Sequence, residues 1–250
     1  QFARDLLAQG TLNAQVMCTV HEASLYTLFE YGVGHILAGN VTMDQRCEES
    51  GLQQSTEEAI AITERMIKKY GDRYVVTPRF AVTCTMELMR ALGDLTASYR
   101  SRVHSHLCES MQGEMQLAME DARKQGADSY TALYDKAGLL WRRTVMAHCI
   151  HMTQKELELL KAREVRVAHC PESNINLGSG RMPVEEMIRM GIPFALGSDV
   201  GAGSTLALPY QMKLYRQVHK GHAEITAPDA LYRATLAGAQ ILELAAQTGN

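Results

Sequence analysis

The chain has 250 residues, of which 46% are hydrophobic and 21% charged, and its formal net charge is −3. These values are ordinary for a globular domain and give no reason to expect nucleic acid or an anionic membrane as a partner. No apolar run approaches the roughly 18 residues that cross a bilayer, which excludes a transmembrane helix, and about 250 residues is the usual size of an eight-fold β/α barrel.

Short apolar runs recur along the chain and predict β-strands. Continuous runs rich in Val, Ile and Ala are typical of strands buried on both faces of a parallel sheet. The runs are "QVMCTV" (15–20), "HILAGNV" (35–41), "YVVTPRF" (74–80), "RVHSHL" (102–107), "TVMAHC" (144–149), "VRVAHC" (165–170) and "PFALGSDV" (193–200).

Amphipathic segments between these runs predict helices, clearest at 55–71, 85–99 and 182–191. Ser55 or Thr56 can cap the first of them, and Pro183 lies near the first turn of the last. Alternating strands and helices imply right-handed crossovers and a parallel sheet. Seven strands without a GxGxxG or P-loop sequence favour an α/β fold, a (β/α)8 TIM-type barrel with one strand missing, over a doubly wound sheet. We treat residues 1–250 as one barrel domain.

The cysteines are scattered and include no CxxC pair. In a chain of this size they indicate reduced thiols, and we therefore expect a cytoplasmic protein without disulfides. They are Cys18, Cys47, Cys84, Cys108, Cys149 and Cys170.

Polar residues gather at the predicted carboxyl ends of the strands, where barrel active sites are built. In "RVHSHLCE", His104 and His106 point to the same face of a strand, and Glu109 lies beyond its end. A neutral imidazole is a good zinc ligand, and an unligated carboxylate nearby can carry protons. A half-exposed histidine and a surface glutamate are the alternative.

Two further strands end in histidine, at His148 and His169, and each is either a hydrogen-bonded core residue or a catalytic group. Asp199 follows the last strand. Burying its carboxylate is costly unless a cation or hydrogen-bond donors lie beside it. The alternative is that Asp199 caps the next helix. For the remaining histidines we expect ordinary surface or loop positions: His21, His35, His151, His219 and His222.

Arg79 follows Pro78 in "VTPRF" and presents a rigid fork of donors. In a pocket it would recognise an oxo group or an anion. The alternative is a surface salt bridge, which is common and contributes little stability.

Together these residues resemble the amidohydrolase superfamily, and within it the guanine deaminases. "TPRF" is more specific to the guanine deaminases than the metal residues, which many amidohydrolases share. The similarity runs through most of the chain, in "VTPRFAVTCTMELM" (76–89), "SHLCES" (105–110), "SYTALYDKAGLL" (129–140), "TVMAHC" (144–149), "VAHCPESNINLGSG" (167–180), "GSDVGAG" (197–203) and "ATLAGAQIL" (234–242).

The resemblance implies that "HSH" belongs to the family's fifth strand, with His106 a ligand and His104 not one. Too few residues separate His106 from Asp199 for it to be the family's strand-one HxH. The sequence opens at Gln1 within an apolar pattern and stops at "QTGN". We therefore expect part of a longer polypeptide, without the first strand and the small β-domain, that binds zinc poorly by itself.

The resemblance further implies zinc-dependent hydrolysis of guanine to xanthine and ammonia, in purine catabolism, although the ligand types do not exclude iron. His106 and Asp199 would bind the metal. Glu109 would shuttle the proton, Asp199 would orient the hydroxide, and His148 would polarise or position near the metal.

Arg79 would donate to the guanine oxo group, and Phe80 would pack against the purine unless it is simply part of the core. His106, Glu109 and Asp199 would also contact the substrate. The family suggests a homodimer, with neither nucleic acid nor membrane as a partner.

Other functions stay open at this stage. An amidohydrolase could deaminate another heterocycle, or a metal-free relative could serve as a binding module. A cysteine-nucleophile hydrolase built on Cys108 or Cys149 lacks a dedicated base. The other zinc deaminase fold needs a PCxxC sequence, and no proline here precedes a cysteine.

Overall fold

The computed structural model describes residues 1–32 and 34–249. Within them, the strands form one parallel sheet in chain order, with β1 and β7 at its two edges. The strands are β1 (Asn13–Cys18), β2 (His35–Thr42), β3 (Val75–Pro78), β4 (Arg102–Leu107), β5 (Thr144–His148), β6 (Arg166–His169) and β7 (Phe194–Leu196).

Helices connect and flank the strands. They are α1 (Phe2–Ala8), α2 (Glu22–Tyr31), α3 (Thr56–Tyr70), α4 (Met86–Tyr99), α5 (Glu114–Lys124), α6 (Tyr130–Lys136), α7 (Gln154–Ala162), α8 (Pro171–Asn176), α9 (Val184–Met190), α10 (Leu208–Val218), α11 (Ala227–Ala234) and α12 (Leu236–Ile241), with 3₁₀ turns at Glu48–Ser50, Gly71–Arg73 and Ala81–Thr83. In the part of the chain that the structure describes, none of them combines the length and apolar character needed to cross a membrane.

Local chemistry sets the helix starts as expected. The Ser55 hydroxyl accepts the backbone N–H of Glu58 and caps α3, and the Thr85 hydroxyl does the same for α4. Pro183 is the N-cap residue of α9. The predicted α/β fold with an incomplete barrel is confirmed.

Alternate strand residues face two apolar layers. Val76 and Val103 pack against the helices, whereas Val75 and Val145 face the barrel interior. Ala237 and Ile241 of α12 join the interior cluster at the amino ends of the strands. The rest of the interior is a cavity of about 370 Å³ that extends toward the carboxyl ends of the strands.

Candidate metal and active site

The backbone turns sharply where three strands end. Cys108, His148, Cys149 and Asp199 have φ angles of 52°, 70°, 48° and 45°. Left-handed backbone at residues other than glycine is strained and is concentrated at functional sites. β7 ends at Leu196, before the predicted limit of 200, because Leu196 pairs with His169, the last residue of β6.

His106 is held in one tautomer by the main chain. Its Nδ1 lies 2.7 Å from the carbonyl oxygen of Arg79, which can only accept, so Nδ1 carries the proton. Its Nε2 therefore presents a lone pair. Burial and then the neighbouring His148 ring lower the pKa of His106, which keeps the imidazole neutral. A neutral ring with a free lone pair suits a metal ligand.

His148 stacks on His106 with 5.3 Å between the ring centroids, and its residue is fully buried. The amide oxygen of Asn174 accepts a hydrogen bond from its Nδ1 at 2.9 Å. Among the described residues, His148 Nε2 has no hydrogen-bond partner, although Oε2 of Glu109 is 3.6 Å away and Oδ2 of Asp199 is 3.9 Å away. Burial lowers the pKa of His148. An unpartnered buried acceptor between two carboxylates favours a cation at this point.

Glu109 is anchored by a second glutamate. Glu114 accepts the backbone N–H of Ser110 at 2.8 Å and that of Glu109 at 3.4 Å. Burial raises the pKa of Glu109, with Asp199 contributing in the same direction. A carboxyl group whose pKa is raised toward neutrality suits proton transfer.

Asp199 does not cap a helix, because α10 begins at Leu208 with Ala207 as its N-cap. The helix-capping alternative is therefore wrong. Instead, the carbonyl of Asp199 accepts the N–H of Gly203 at 2.8 Å, closing a tight loop. Glu172 of α8 fastens that loop by accepting from the hydroxyl of Ser204.

Arg79 and Phe80 form one side of the site. The guanidinium carbon of Arg79 lies 4.7 Å from the centre of the Phe80 ring, and Phe80 meets His106 edge-on at 6.5 Å. Within the described chain no carboxylate forms an ion pair with Arg79, so the surface salt bridge is not observed. The Arg79 backbone N–H donates to Thr42 at 3.3 Å. Its side chain is exposed and available to a ligand.

Cys170 is the residue that sequence reasoning left unassigned. One ligand atom each from His148, Cys170 and Asp199 lie within 4.8 Å of one another. Burial raises the pKa of the Cys170 thiol, and the carboxylates of Asp199 and Glu109 raise it further. Imidazole, carboxylate and thiol donors in this arrangement fit a divalent metal.

His104 lines the interior cavity below His106. Burial lowers its pKa to about 3, so the ring is neutral. Its Nδ1 has no partner among the residues described. That His104 is not a ligand stays a prediction.

His169 faces the helices. Its Nε2 lies 2.9 Å from Nε2 of His219. His219 lies in the turn directly after α10, but it is fully buried and packs against Tyr215, so the surface position expected for it is wrong. His21, His35 and His222 are exposed, and His151 is half-buried with Nε2 2.8 Å from the Ser179 carbonyl.

Tyr134 is a second residue that the sequence reasoning did not single out. Its hydroxyl donates to the His106 carbonyl and accepts the Ala81 N–H, each at 2.9 Å, and lies 2.9 Å from the Ser105 hydroxyl. One buried side chain thus joins the ends of β3 and β4. The signal was its place in the "SYTALYDKAGLL" motif.

All six cysteines are free thiols, as predicted. Burial raises the pKa of both Cys108 and Cys149. A nucleophilic cysteine needs the opposite shift, so the cysteine-hydrolase alternative loses support.

The comparisons with known proteins agree along the whole chain. A family model described as "Amidohydrolase family" matches residues 6–250. A guanine deaminase of Escherichia coli (strain K12) is 34% identical over 262 residues, covering 100% of this chain and 58% of the relative. This chain therefore spans somewhat more than half the length of that curated relative.

Two solved structures share the fold. That of E. coli guanine deaminase superposes with a TM-score of 0.93 at 32% identity, covering 100% of this chain and 60% of the other. That of guanine deaminase from C. acetobutylicum, with bound guanine in the active site, has a TM-score of 0.88 at 33% identity, covering 100% and 62%.

Proposed function

The chain belongs to the amidohydrolase family, and on that premise we propose that the protein hydrolyses guanine to xanthine and ammonia. One observation carries the proposal. His106, Glu109, His148 and Asp199 meet at the carboxyl ends of three strands, beside Arg79 and Phe80. The similarity to guanine deaminases over the full chain supports this substrate above other heterocycles.

We propose zinc as the metal, with His106 and Asp199 as two of its ligands. When bound, zinc supplies Lewis-acid chemistry that makes hydroxide available near neutral pH. Nε2 of His106 carries the lone pair this role needs, because Nδ1 is committed to the Arg79 carbonyl. Two protein ligands make a weak site, so we expect full affinity only where further donors complete it.

Glu109 is the proposed proton carrier. It would take a proton from the attacking water and deliver it to the ring nitrogen next to the carbon that bears the amino group. Its raised pKa brings the carboxyl closer to the operating pH, which favours transfer in both directions. Asp199 would orient the water and help protonate the departing ammonia. His148 would accept a hydrogen bond through Nε2 or bind the metal there.

Arg79 is the proposed reader of the substrate. Its guanidinium would donate to the guanine oxo group, which adenine lacks, while Phe80 packs against the purine ring. A site built around such a hydrogen bond discriminates against the analogue that lacks the partner, by about 10⁴-fold in favourable cases. The free guanidinium supports this role.

We further propose that the protein is a cytoplasmic homodimer and that its small-molecule partner is the purine substrate. Mass measurement of the purified protein by light scattering tests the assembly. A monomer at micromolar concentration would contradict it.

Guanine-dependent ammonia release by the full-length protein tests the reaction. Glu109→Gln should lower kcat by about 10² to 10⁴-fold. The exposed Glu57→Gln variant is the matched control and should retain the wild-type rate. Equal rates for both variants would remove Glu109 from the mechanism. Release from adenine or a triazine but not from guanine would overturn the substrate assignment.

A further inference from the structure

We propose that Tyr134 is a positioning residue for the chain segment that carries Arg79 and Phe80, the two side chains to which we assign guanine recognition. This inference rests on the proposed function and deepens it. The Tyr134 hydroxyl reaches two main-chain atoms beside the site, so it acts through the backbone and not by contact with the purine.

The β-sheet alone holds this segment loosely. The last residues paired between β3 and β4 are Val76 and Val103. Beyond them, the His106 N–H donates to the Arg79 carbonyl at 3.1 Å, and side chains supply further hydrogen bonds between the two strand ends. Because fewer ladder bonds restrain a strand end, its position depends on the side chains that bind it.

Two buried hydroxyl groups bind the segment on either side of its recognition residues. The Ser105 hydroxyl donates to the Pro78 carbonyl at 2.7 Å, before the recognition pair. The Tyr134 hydroxyl accepts the Ala81 N–H at 2.9 Å, after the pair. The two hydroxyl oxygens lie 2.9 Å apart, and both side chains are fully buried. The recognition pair is therefore held between two fixed points of the backbone.

The same tyrosine connects the segment to a proposed metal ligand. Tyr134 donates to the His106 carbonyl at 2.9 Å, and Nδ1 of the His106 ring lies 2.7 Å from the Arg79 carbonyl. Both the backbone and the ring of His106 are thus tied to the recognition segment. This arrangement fixes the distance between the purine-binding side chains and the metal ligand, on which correct orientation of the reacting carbon depends.

Tyr134 is itself firmly held. It is fully buried in α6, where its ring stacks on that of Tyr130 with 5.9 Å between the centroids. The Ser129 hydroxyl caps α6 by accepting the Ala132 N–H. Burial raises the pKa of Tyr134, so its hydroxyl keeps the proton that it donates to His106. Tyr134 can therefore position its neighbours without taking part in proton transfer.

A double-mutant cycle in the zinc-loaded, full-length protein tests the positioning role. Tyr134→Phe removes only the hydroxyl, and we expect kcat/KM for guanine to fall about 10 to 100-fold, mostly through KM. In an Arg79→Ala background the same change should cost at least about fivefold less, because the side chain that Tyr134 positions is gone. Tyr74→Phe, at a fully buried tyrosine directly before β3, is the matched control and should retain the wild-type kcat/KM.

Hydrogen exchange measured by mass spectrometry gives a readout that does not depend on activity. The Ala81 amide should exchange at least about tenfold faster in Tyr134→Phe, since its acceptor is removed, and at the wild-type rate in Tyr74→Phe. If Tyr134→Phe does not fold, Ser105→Ala replaces it in the cycle, with the same expected loss of kcat/KM.

Equal costs of Tyr134→Phe in the wild-type and Arg79→Ala backgrounds, or a loss confined to kcat, would overturn the proposal. Unchanged exchange at the Ala81 amide would overturn it as well. A wild-type protein without guanine turnover would instead contradict the proposed function, and the exchange measurement alone would then decide whether Tyr134 holds the segment.

Discussion

Charged side chains form ion pairs at the amino ends of the strands, whereas a buried polar atom at the carboxyl ends has no partner among the described residues. At the amino ends of the strands, Arg102 donates to Asp72 at 3.2 Å and to Glu243 at 3.1 Å, and Arg143 lies 3.1 Å from the same glutamate. Arg142 and Arg166 each lie 3.7 Å from Glu243 as well. At the carboxyl ends, His148 Nε2 is buried with no partner among the described residues. The ion pairs at the amino ends stabilise the fold, whereas polar atoms at the carboxyl ends are available to a ligand.

Backbone strain does not follow the same division, because left-handed residues other than glycine occur at both ends. At the amino ends, Arg100, Glu164 and Glu243 have φ angles of 53°, 56° and 60°. At the carboxyl ends, His148 and Asp199 also have positive φ angles. Strain of this kind costs about 1–3 kcal/mol per residue and persists where the surrounding structure enforces it. The difference between the two ends therefore lies in how their charges are paired, and it predicts that substitutions at the carboxyl ends affect activity, while those at the amino ends affect stability.

The sharpest test of this division is Asp199→Asn. Asparagine tolerates the left-handed backbone, so the fold should remain while the charge is lost. We expect guanine-dependent kcat/KM to fall by about 10³-fold or more, equal to about 4 kcal/mol of transition-state stabilisation. Asp94→Asn, at an exposed position of α4, is the control. A large loss of thermal stability in Asp199→Asn would break the comparison.

Asn174→Ala removes the acceptor that orients His148. The imidazole could then turn or change tautomer, and we expect kcat for guanine to fall about 10 to 100-fold. Guanine-dependent ammonia release by the full-length protein measures this. Ser173→Ala is the control, because its buried hydroxyl has no partner within the described chain. An unchanged kcat in Asn174→Ala would show that Asn174 does not position the ring.

Glu243→Gln tests the amino end. The buried guanidinium of Arg102 would keep only the exposed Asp72 as a charged partner. We expect the free energy of unfolding to fall by about 2 kcal/mol, with kcat unchanged. Urea denaturation measures it against Glu186→Gln, whose pair with Arg189 is exposed. A lower kcat in a stable Glu243→Gln protein would contradict the division.

The smallest effect concerns an ion pair at the start of α9. The hydrogen bonds from Arg181 lower the pKa of Glu185 from 4.5 to about 2. A carboxyl whose pKa is lowered by folding stabilises the protein above its unfolded pKa, and this contribution is lost as the pH falls from 4.5 toward 2. Because the pair is partly exposed, we expect less than about 1 kcal/mol. Glu185→Gln should match the wild type at pH 2 and be slightly less stable at pH 6.

Sequence reasoning succeeded where the signal is local. The run 35–41 nearly coincides with β2, His35–Thr42, because a largely apolar strand can be recognised from its own residues. It failed for His219, which lies in the polar segment "RQVHKGH" and is buried by β6, fifty residues earlier in the chain. Sequence reasoning missed Asn174 and Cys170 for the same reason, because the residues close to them lie on other strands.

The limit of 200 predicted for the last strand was wrong for a different reason. An apolar run does not reveal where its partner strand stops, and β7 ends at Leu196 opposite His169, the last residue of β6. The predicted roles of Glu109, His148 and Asp199 stay predictions. Their proximity, however, follows from parallel strands ending at the same edge of a barrel.

The bond that orients His106 has a consequence for how substrate preference can diverge. It runs to the main-chain oxygen of Arg79, which every amino acid would supply at that position. If Arg79 recognises the substrate as proposed, its side chain can therefore be replaced to alter substrate preference while the hydrogen bond that fixes the His106 ring is retained.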